Sequence, residues 1–316
     1  MVLASPVRVR EHARVMTRID LSTLTTEARN PRTMELDALS TIDMVRAMND
    51  EDRSVAEAVR HELPRIAAAI DAIAARMHKG GRLVYVGAGT SGRLGVLDAA
   101  ECPPTFSAAP GQVIGLIAGG SDAFLQAVEG AEDSGTLAGD DLRDMDLGSK
   151  DIVVGIAASG RTPYVVGALQ AARAIGALTV AVVCNAGSAV AAAAELPIEV
   201  VTGPEVLTGS TRLKAGTATK MVLNMLSTGA FVRLNKVYGN LMVDLQTTND
   251  KLKARAVRMV AQATGCAPDE AAALLQRCDG EVKAAIVVQQ KCVEPHVART
   301  LLFTHDGSVR AALAAP

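Results

Sequence analysis

The strongest constraint on the fold is an alternation between short, continuous apolar runs and segments of helical periodicity. Five apolar runs are bounded by Gly, Ser, Asn or Pro, at residues 82–86, 113–118, 151–157, 178–184 and 198–201. Such runs are typical of strands that are buried on both faces of a sheet. Segments of helical periodicity lie between them, at residues 93–100, 124–132, 164–174 and 189–195. The alternation predicts right-handed βαβ units and a doubly wound parallel sheet of the α/β class.

The regions on either side of this alternation are predicted to be helical. Apolar residues recur at helical spacing from about residue 36 to residue 77, and a long helix is predicted over residues 213–233. The chain has 316 residues, which at roughly 150 residues per domain suggests about two domains. We predict an N-terminal extension and helical arm over 1–50, the α/β domain over 51–250 and a small C-terminal helical bundle over 251–316. The Arg-rich residues 7–18 are expected to be a disordered part of the extension.

Charge and composition argue against nucleic acid as a partner. The chain carries 32 basic and 34 acidic side chains, and its aromatic residues are three Tyr and four Phe, with no Trp. A balanced charge provides no field to hold a phosphodiester backbone, and few side chains are available to stack on bases.

The cysteines and the apolar segments bear on metals and compartment. The five cysteines form no C-x-x-C pair and the histidines have no ligand spacing, so we expect free thiols and no structural metal. The N-terminus lacks the apolar core of a signal peptide. The uncharged stretch 174–194 is interrupted by Asn185, Gly187 and Ser188, which favours strand, turn and helix over a membrane span. We therefore expect a cytoplasmic protein without a membrane partner.

The loop after the first predicted strand, Gly87-Ala88-Gly89-Thr90-Ser91-Gly92, matches the dinucleotide pattern G-x-G-x-x-G. A nicotinamide site would also need an acidic residue at the end of the second strand, where this chain has Leu116-Ile117-Ala118-Gly119-Gly120. The loop has no G-K-[ST] ending either, which excludes a nucleotide P-loop.

Three Ser/Thr turns instead precede predicted helices, and we expect them at one edge of the sheet. They contain Ser91-Gly92-Arg93, Ser159-Gly160-Arg161 and Ser210-Thr211-Arg212. Helix N-termini attract anions, and ligands of open parallel sheets bind beyond the carboxyl ends of the strands. The pattern favours binding of a small phosphorylated sugar. The alternative for each single turn is an ordinary helix cap.

The carboxylates are not ranked by pattern alone. Glu101 precedes Cys102-Pro103-Pro104, where the prolines are predicted to end the helix and to leave Glu101 opposing the helix dipole. Glu129 and Glu132 are expected near the end of the helix predicted over 124–132. A solvated acidic face is the commoner explanation for all three, and the pattern does not select a catalytic pair.

A resemblance to a known family adds what the pattern leaves open. Residues 85–105, which include Gly87-Ala88-Gly89-Thr90-Ser91-Gly92-Arg93 and Ala100-Glu101-Cys102-Pro103-Pro104, closely resemble the N-acetylmuramic acid 6-phosphate etherases. Residues 26–30, 128–133, 155–164 and 209–217 are similar to the same family. The resemblance implies a sugar isomerase (SIS) domain with a five-stranded parallel sheet flanked by helices, a homodimer with sites near the subunit interface, and a C-terminal bundle like a ubiquitin-associated domain.

The same resemblance implies an activity. It is the cleavage of the C3 D-lactyl ether of N-acetylmuramic acid 6-phosphate to N-acetylglucosamine 6-phosphate and D-lactate, in cell-wall amino sugar recycling and without a cofactor. Glu101 matches the family's acid for lactate departure and Glu132 matches its base at C2, although the two could exchange roles when water adds. Two carboxyl groups with different pKa values suffice for an elimination of this kind.

The resemblance also implies residues that hold the phosphate and the sugar hydroxyls. They are Thr90, Ser91, Gly92, Ser159, Gly160, Thr162, Ser210 and Thr211. Arg161 and Lys214 are further candidates, each with the alternative of pairing with a carboxylate on the surface. Two other functions remain open, an aldose–ketose phosphate isomerase and a non-catalytic sugar-phosphate sensor on the same scaffold.

Overall fold

A five-stranded parallel sheet forms the centre of the computed structural model, which describes residues 24–126, 128–245 and 250–316. Its strands are β1 (Leu83–Gly87), β2 (Val113–Ile117), β3 (Ile152–Ala157), β4 (Leu178–Val183) and β5 (Leu196–Glu199). All neighbouring strands are parallel, in the order β2-β1-β3-β4-β5. The predicted doubly wound five-stranded sheet is confirmed. The Arg-rich residues 7–18 lie outside the described residues.

Helices cover both faces of the sheet. Successive side chains of a strand point to opposite faces, and because they are apolar at nearly every position, both faces must be buried. On one face lie α1 (Thr41–His61), α2 (Leu63–His78), α3 (Gly89–Phe106) and α7 (Lys214–Arg233). On the other lie α4 (Gly135–Asp144), α5 (Pro163–Ala174) and α6 (Ala189–Ala193). Leu83 and Tyr85 of β1 point into the first core, and Val84 and Val86 into the second. The strands are therefore buried on both faces, as their uninterrupted apolar runs indicate.

The helix predicted over 124–132 is wrong. That segment forms two short 3-10 turns, Ser121–Phe124 and Ala131–Asp133, and the helix begins only after them, at Gly135. Gly120 and Gly130 take positive φ angles of 74° and 75°, which an α-helix does not contain. Ser134 then caps the helix, since its hydroxyl accepts a hydrogen bond from the Leu137 amide. Glu132 consequently lies in a turn instead of near a helix end.

The predicted end of α3 at the two prolines is also wrong. The helix continues through Pro103 and Pro104 to Phe106 and ends at Ser107, which takes a left-handed φ of 50°. The prolines remove only hydrogen bonds of the last turn, and packing holds that turn in place. Phe106 stacks on Phe231 of α7 with ring centroids 4.7 Å apart. Glu101 therefore lies inside the helix, and the expected opposition to the dipole at a helix end has no structural basis.

Residues 24–33, the N-terminal strap, contain two short 3-10 turns, Thr25–Glu27 and Pro31–Thr33, and cross the carboxyl edge of the sheet beside β4 and β5. Asn185, just after β4, accepts a hydrogen bond from Thr25 Oγ1 at 3.0 Å and donates one to Thr26 Oγ1 at 3.0 Å. Further along the strap, Thr33 Oγ1 donates to the Val206 carbonyl at 2.9 Å. The strap is thus attached by side chains to loops that the chain makes more than 150 residues later.

The C-terminal bundle has a hydrophobic core of its own. It contains the hairpin β6 (Val237–Tyr238) and β7 (Leu241–Met242), followed by α8 (Asp250–Thr264), α9 (Pro268–Arg277), α10 (Val282–Lys291), α11 (Pro295–Thr304) and α12 (Val309–Ala314). Val243 and Leu245 belong to this core, so its packing begins before residue 251. Within the described ranges, every helix is too short or too polar to cross a bilayer.

Candidate functional site

A cavity of about 200 Å³ opens at the carboxyl edge of the sheet, beside the loops that follow β1 and β3. The chain leaves β1 toward β2 on one side and later returns to β3 on the other. Loops that diverge in this way leave a crevice where ligands of doubly wound sheets bind. Hydroxyl side chains from loops and from the first turns of α3 and α7 line this cavity: Thr90, Ser91, Ser159, Thr162, Thr211 and Thr219. Two carboxylates, Glu27 and Glu132, line it as well.

The N-terminus of α3 forms one wall, and its backbone is left open to the cavity. Residues 88–91 line the cavity, and no side chain of the described residues caps this helix. Close packing needs glycine here, because a Cβ atom on Gly92 would lie 2.7 Å from both the Gly87 oxygen and Ile117 Cγ1. Unpaired N–H groups and the helix dipole together favour an anion at this position.

The N-terminus of α7 is occupied by a side chain of the protein itself. The Glu205 carboxylate is fully buried and accepts hydrogen bonds from the backbone amides of Lys214 and Ala215, both at 2.9 Å. A negative charge therefore already satisfies this helix start. Of the two helices, α3 is the one that can receive a phosphate.

Ser159 also has a donor available for a ligand. Its Oγ accepts a hydrogen bond from the Arg161 amide at 3.3 Å, which leaves the hydroxyl hydrogen free to turn toward the cavity. Thr162 begins α5 without a side-chain cap bond, and its hydroxyl lines the same space. The cavity therefore offers several uncharged donors together with the amides of α3.

Comparison with known proteins identifies the family. The SIS domain family matches residues 134–229, and the glucokinase regulatory protein N-terminal SIS domain family matches residues 65–173. An N-acetylmuramic acid 6-phosphate etherase of Streptomyces coelicolor is 60% identical over 94% of this chain and 96% of its own length. One of Cronobacter sakazakii is 57% identical over 93% of this chain and 99% of its own. The chain belongs to the N-acetylmuramic acid 6-phosphate etherase family.

A solved structure matches with lower similarity. A phosphoheptose isomerase from Francisella tularensis aligns with a TM-score of 0.48 and 15% identity, over 61% of this chain and all of that one.

Five of the binding residues matched to the etherase family lie together in the cavity: Thr90, Ser91, Ser159, Thr162 and Thr211. The two matched glycines shape the turns. Gly160 takes a φ of 70°, and a Cβ atom there would lie 2.3 Å from the Ser188 side chain. Ser210 is half-buried beside the cavity without lining it, and its amide donates to the Leu207 carbonyl.

Lys214 and Arg161, the two basic residues matched to the etherase family, do not line the cavity. Lys214 is buried, and its Nζ donates to Glu51 Oε2 of α1 at 2.6 Å, while Arg32 of the strap contacts the other Glu51 oxygen at 2.5 Å. Lys214 therefore joins α7 to α1 in this structure. Arg161 lines a separate surface depression that also includes Asp133 and Thr136.

Of the two glutamates matched to the etherase family, Glu132 lines the cavity and Glu101 does not. Glu101 is exposed and lies eleven residues beyond Thr90 on α3, which at a rise of about 1.5 Å per residue separates them by about 16 Å along the helix. Thr90, Leu94, Leu97 and Glu101 follow helical spacing, so they share one face of α3. Glu101 thus lies on the same face of α3 as the cavity-lining Thr90, about three turns further along the helix.

A buried polar cluster joins α3 to β1 and α7. Tyr85 Oη donates to Asp98 Oδ2 at 2.8 Å, and Ser227 Oγ donates to Asp98 Oδ1 at 3.2 Å. Burial raises the pKa of Asp98, although these two hydrogen bonds and Lys220 act in the opposite direction. Asp98 is one turn before Glu101, so the cluster fixes the orientation of α3, whose start lines the cavity and which carries Glu101 further along.

The sequence pattern gave no indication of the roles of Glu27, Glu205 and the Asp98 cluster. Glu27 belongs to the segment that resembles the etherase family. The local sequence does not indicate a role for it, because the residues that surround it in the cavity come from loops far away in sequence. Among the described residues, no group of three His, Cys, Asp or Glu side chains could hold a metal ion.

Proposed function

We propose that the chain cleaves the C3 lactyl ether of N-acetylmuramic acid 6-phosphate, giving N-acetylglucosamine 6-phosphate and D-lactate. One observation carries the proposal: a single cavity combines the open N-terminus of α3, hydroxyl donors from three loops and the carboxylate of Glu132. Two relatives with 57% and 60% identity over almost the whole chain, both named for this reaction, support it.

The phosphate would be held at the start of α3. Backbone amides of residues 89–91 and the hydroxyls of Ser91 and Ser159 can donate to its oxygens. The sugar would then extend toward Glu132. In the ring-opened form the aldehyde acidifies the proton at C2, which is the proton that a carboxylate base can remove.

The reaction would proceed by elimination and then addition. Glu132 takes the C2 proton, the electrons of that C–H bond form the C2–C3 double bond, and the C3–O bond breaks with its electrons on the lactate oxygen. An acid, assigned to Glu101, protonates that oxygen. Water then adds its hydroxyl to C3 and a proton returns to C2, which gives the product.

The position of Glu101 leads us to propose that a second copy of the chain completes the site. The helical layer that carries Glu101 exposes apolar side chains: Leu97 of α3 is 39% exposed and Leu63 of α2 is 44% exposed. Between α2 and α7 lies an apolar groove lined by Leu63, Ile66, Ala67, Ile70, Met221 and Met225. A homodimer that buries this side would bring Glu101 of one subunit toward the cavity of its partner. The free cysteines fit a reducing compartment, and we propose the cytoplasm.

The proposed reaction is tested by product analysis in ¹⁸O-labelled water and in D₂O. Elimination and addition predict one ¹⁸O atom in the C3 hydroxyl, one deuterium at C2 and unlabelled D-lactate. Glu132→Gln and Glu101→Gln should each lower kcat by at least about 100-fold. Lactate release without deuterium at C2 would contradict the mechanism, and sugar-phosphate binding without lactate release would favour the isomerase or sensor.

Mixed dimers test where Glu101 acts. If Glu101 and Glu132 of one site come from different subunits, mixing Glu101→Gln with Glu132→Gln creates one intact site in each heterodimer. A random mixture should then regain about a quarter of wild-type activity. No recovery, with heterodimers shown by differential tagging, would place both glutamates of each site in the same subunit.

A further inference from the structure

The N-terminal strap brings a second carboxylate, that of Glu27, into the cavity. The strap residue before it, Thr26, is buried and hydrogen-bonded to Asn185, whose side-chain amide also donates to the Ala158 carbonyl at 3.0 Å. Ala158 is next to Ser159. Asn185 therefore holds Glu27 in a fixed relation to one of the hydroxyl loops.

The Glu27 carboxylate lies against the turn that precedes α7. Its Oε2 is 3.2 Å from the position that a Cβ atom would take on Gly209, a residue with a φ of 77°. Glycine at 209 thus leaves room for the carboxylate. Within 24–126, 128–245 and 250–316, no side chain or amide forms a hydrogen bond or ion pair with the Glu27 carboxylate. The half-buried group is free to accept from a ligand.

The other polar groups of the cavity are mainly donors or hydroxyls, which suit a phosphate. A sugar also presents donors of its own, its hydroxyls and the amide N–H of its N-acetyl group. An ionised carboxylate only accepts hydrogen bonds, so it pairs with these donors and repels a phosphate. Glu132 already has a role at C2 in the proposed reaction.

We propose that Glu27 is a sugar-binding residue, which accepts hydrogen bonds from the hydroxyl or amide donors of the substrate. The inference rests on the proposed function and adds to it the orientation of the substrate in the cavity. The phosphate binds at α3, the negative charge of Glu27 keeps it away from the strap, and the sugar is held between Glu27 and Glu132.

Two ligands separate this role from a purely structural one. Glu27→Gln keeps the size of the side chain and removes its charge, and Glu27→Ala removes the acceptor. Both should weaken binding of N-acetylglucosamine 6-phosphate by about tenfold or more, because a hydrogen bond to a charged acceptor is lost. Binding of inorganic phosphate should stay equal or become tighter, because a repulsive charge has been removed. Glu35→Gln, an exposed position beyond the strap, is the matched control and should change neither affinity.

Calorimetric titrations with both ligands decide the matter. Equal weakening of both ligands would overturn the proposal in favour of a structural role for the strap, and unchanged affinity for the sugar phosphate would overturn it outright. Lactate release by the wild type, measured in parallel, tests the proposed function separately. A wild type that releases lactate while Glu27→Gln binds both ligands normally would reject only the role of Glu27.

Discussion

The N-termini of α3 and α7 follow similar Ser/Thr turns at the same edge of the sheet, yet they have opposite properties. At α3 the amides are open to the cavity, whereas at α7 the buried Glu205 carboxylate accepts two of them. The difference comes from a residue outside either turn. A turn of this composition thus predicts an anion site only when no carboxylate of the protein already occupies the helix start.

The largest expected effect comes from removing the cap at α7. Glu205→Ala leaves the buried amides of Lys214 and Ala215 without acceptors and should lower the free energy of unfolding by about 3 kcal/mol. Chemical denaturation measures this loss. Because α3 is untouched, the affinity for inorganic phosphate should change by less than about twofold, and a parallel loss of phosphate affinity would contradict the assignment of phosphate to α3.

The next effect comes from disturbing the open terminus. Gly92→Ala places a Cβ atom 2.7 Å from the Gly87 oxygen, so the start of α3 must shift. We expect the affinity for N-acetylglucosamine 6-phosphate to fall by about 100-fold. Gly139→Ala, inside α4 and outside the cavity lining, meets its nearest atom at 3.6 Å and is the matched control, with an expected change of less than about twofold. Equal losses in both variants would show that the lost affinity does not come from the start of α3.

A pair of serine substitutions sharpens the comparison further. Ser91→Ala should raise KM by about tenfold with a smaller effect on kcat, because ground-state binding of the phosphate is lost. Ser210→Ala, at the corresponding turn before α7, should change KM by less than about twofold, since Ser210 does not line the cavity. Steady-state kinetics measures both variants, and a larger effect at Ser210 would show that Ser210 binds substrate although it does not line the cavity in this structure.

The smallest effect concerns the Asp98 cluster that links the two helices. Burial raises the pKa of Asp98 above the ordinary value of an aspartate, so the folded protein holds this proton at pH values where the unfolded chain has lost it. Its contribution to stability is therefore fully present below the unfolded pKa and falls as pH rises through the folded pKa. In the wild type, this lost contribution should lower Tm between about pH 3.5 and 6.5. In Asp98→Asn, which has no proton to lose, the decrease in Tm over the same range should be smaller by at most a few degrees. An identical pH dependence in wild type and variant would contradict it.

The sheet could be predicted from sequence because its strands are buried on both faces and leave an uninterrupted apolar pattern. The connection between β2 and α4 could not, since two glycines with positive φ and the Ser134 cap decide where that helix begins. The end of α3 could not be predicted from its two prolines either. The helix continues through them because the stacking of Phe106 on Phe231, a contact between residues distant in sequence, holds its last turn.

The candidate site divides in the same way. The Ser/Thr turns after β1 and β3 are local motifs, and the structure brings their side chains into one cavity. Lys214 also belongs to a local motif, but its direction is decided by Glu51, which is 163 residues away in sequence. Glu27 and Glu205 likewise depend on contacts that no local pattern contains.

The attachment of the strap has a consequence for biosynthesis. Residues 24–33 leave the ribosome before any strand of the sheet. Their partners are synthesised much later, Asn185 after β4 and Val206 after β5. Glu27 can therefore reach its position in the cavity only after most of the α/β domain has been synthesised. Until then the nascent chain lacks the carboxylate that receives the sugar, so sugar binding through Glu27 begins only once the domain is nearly complete.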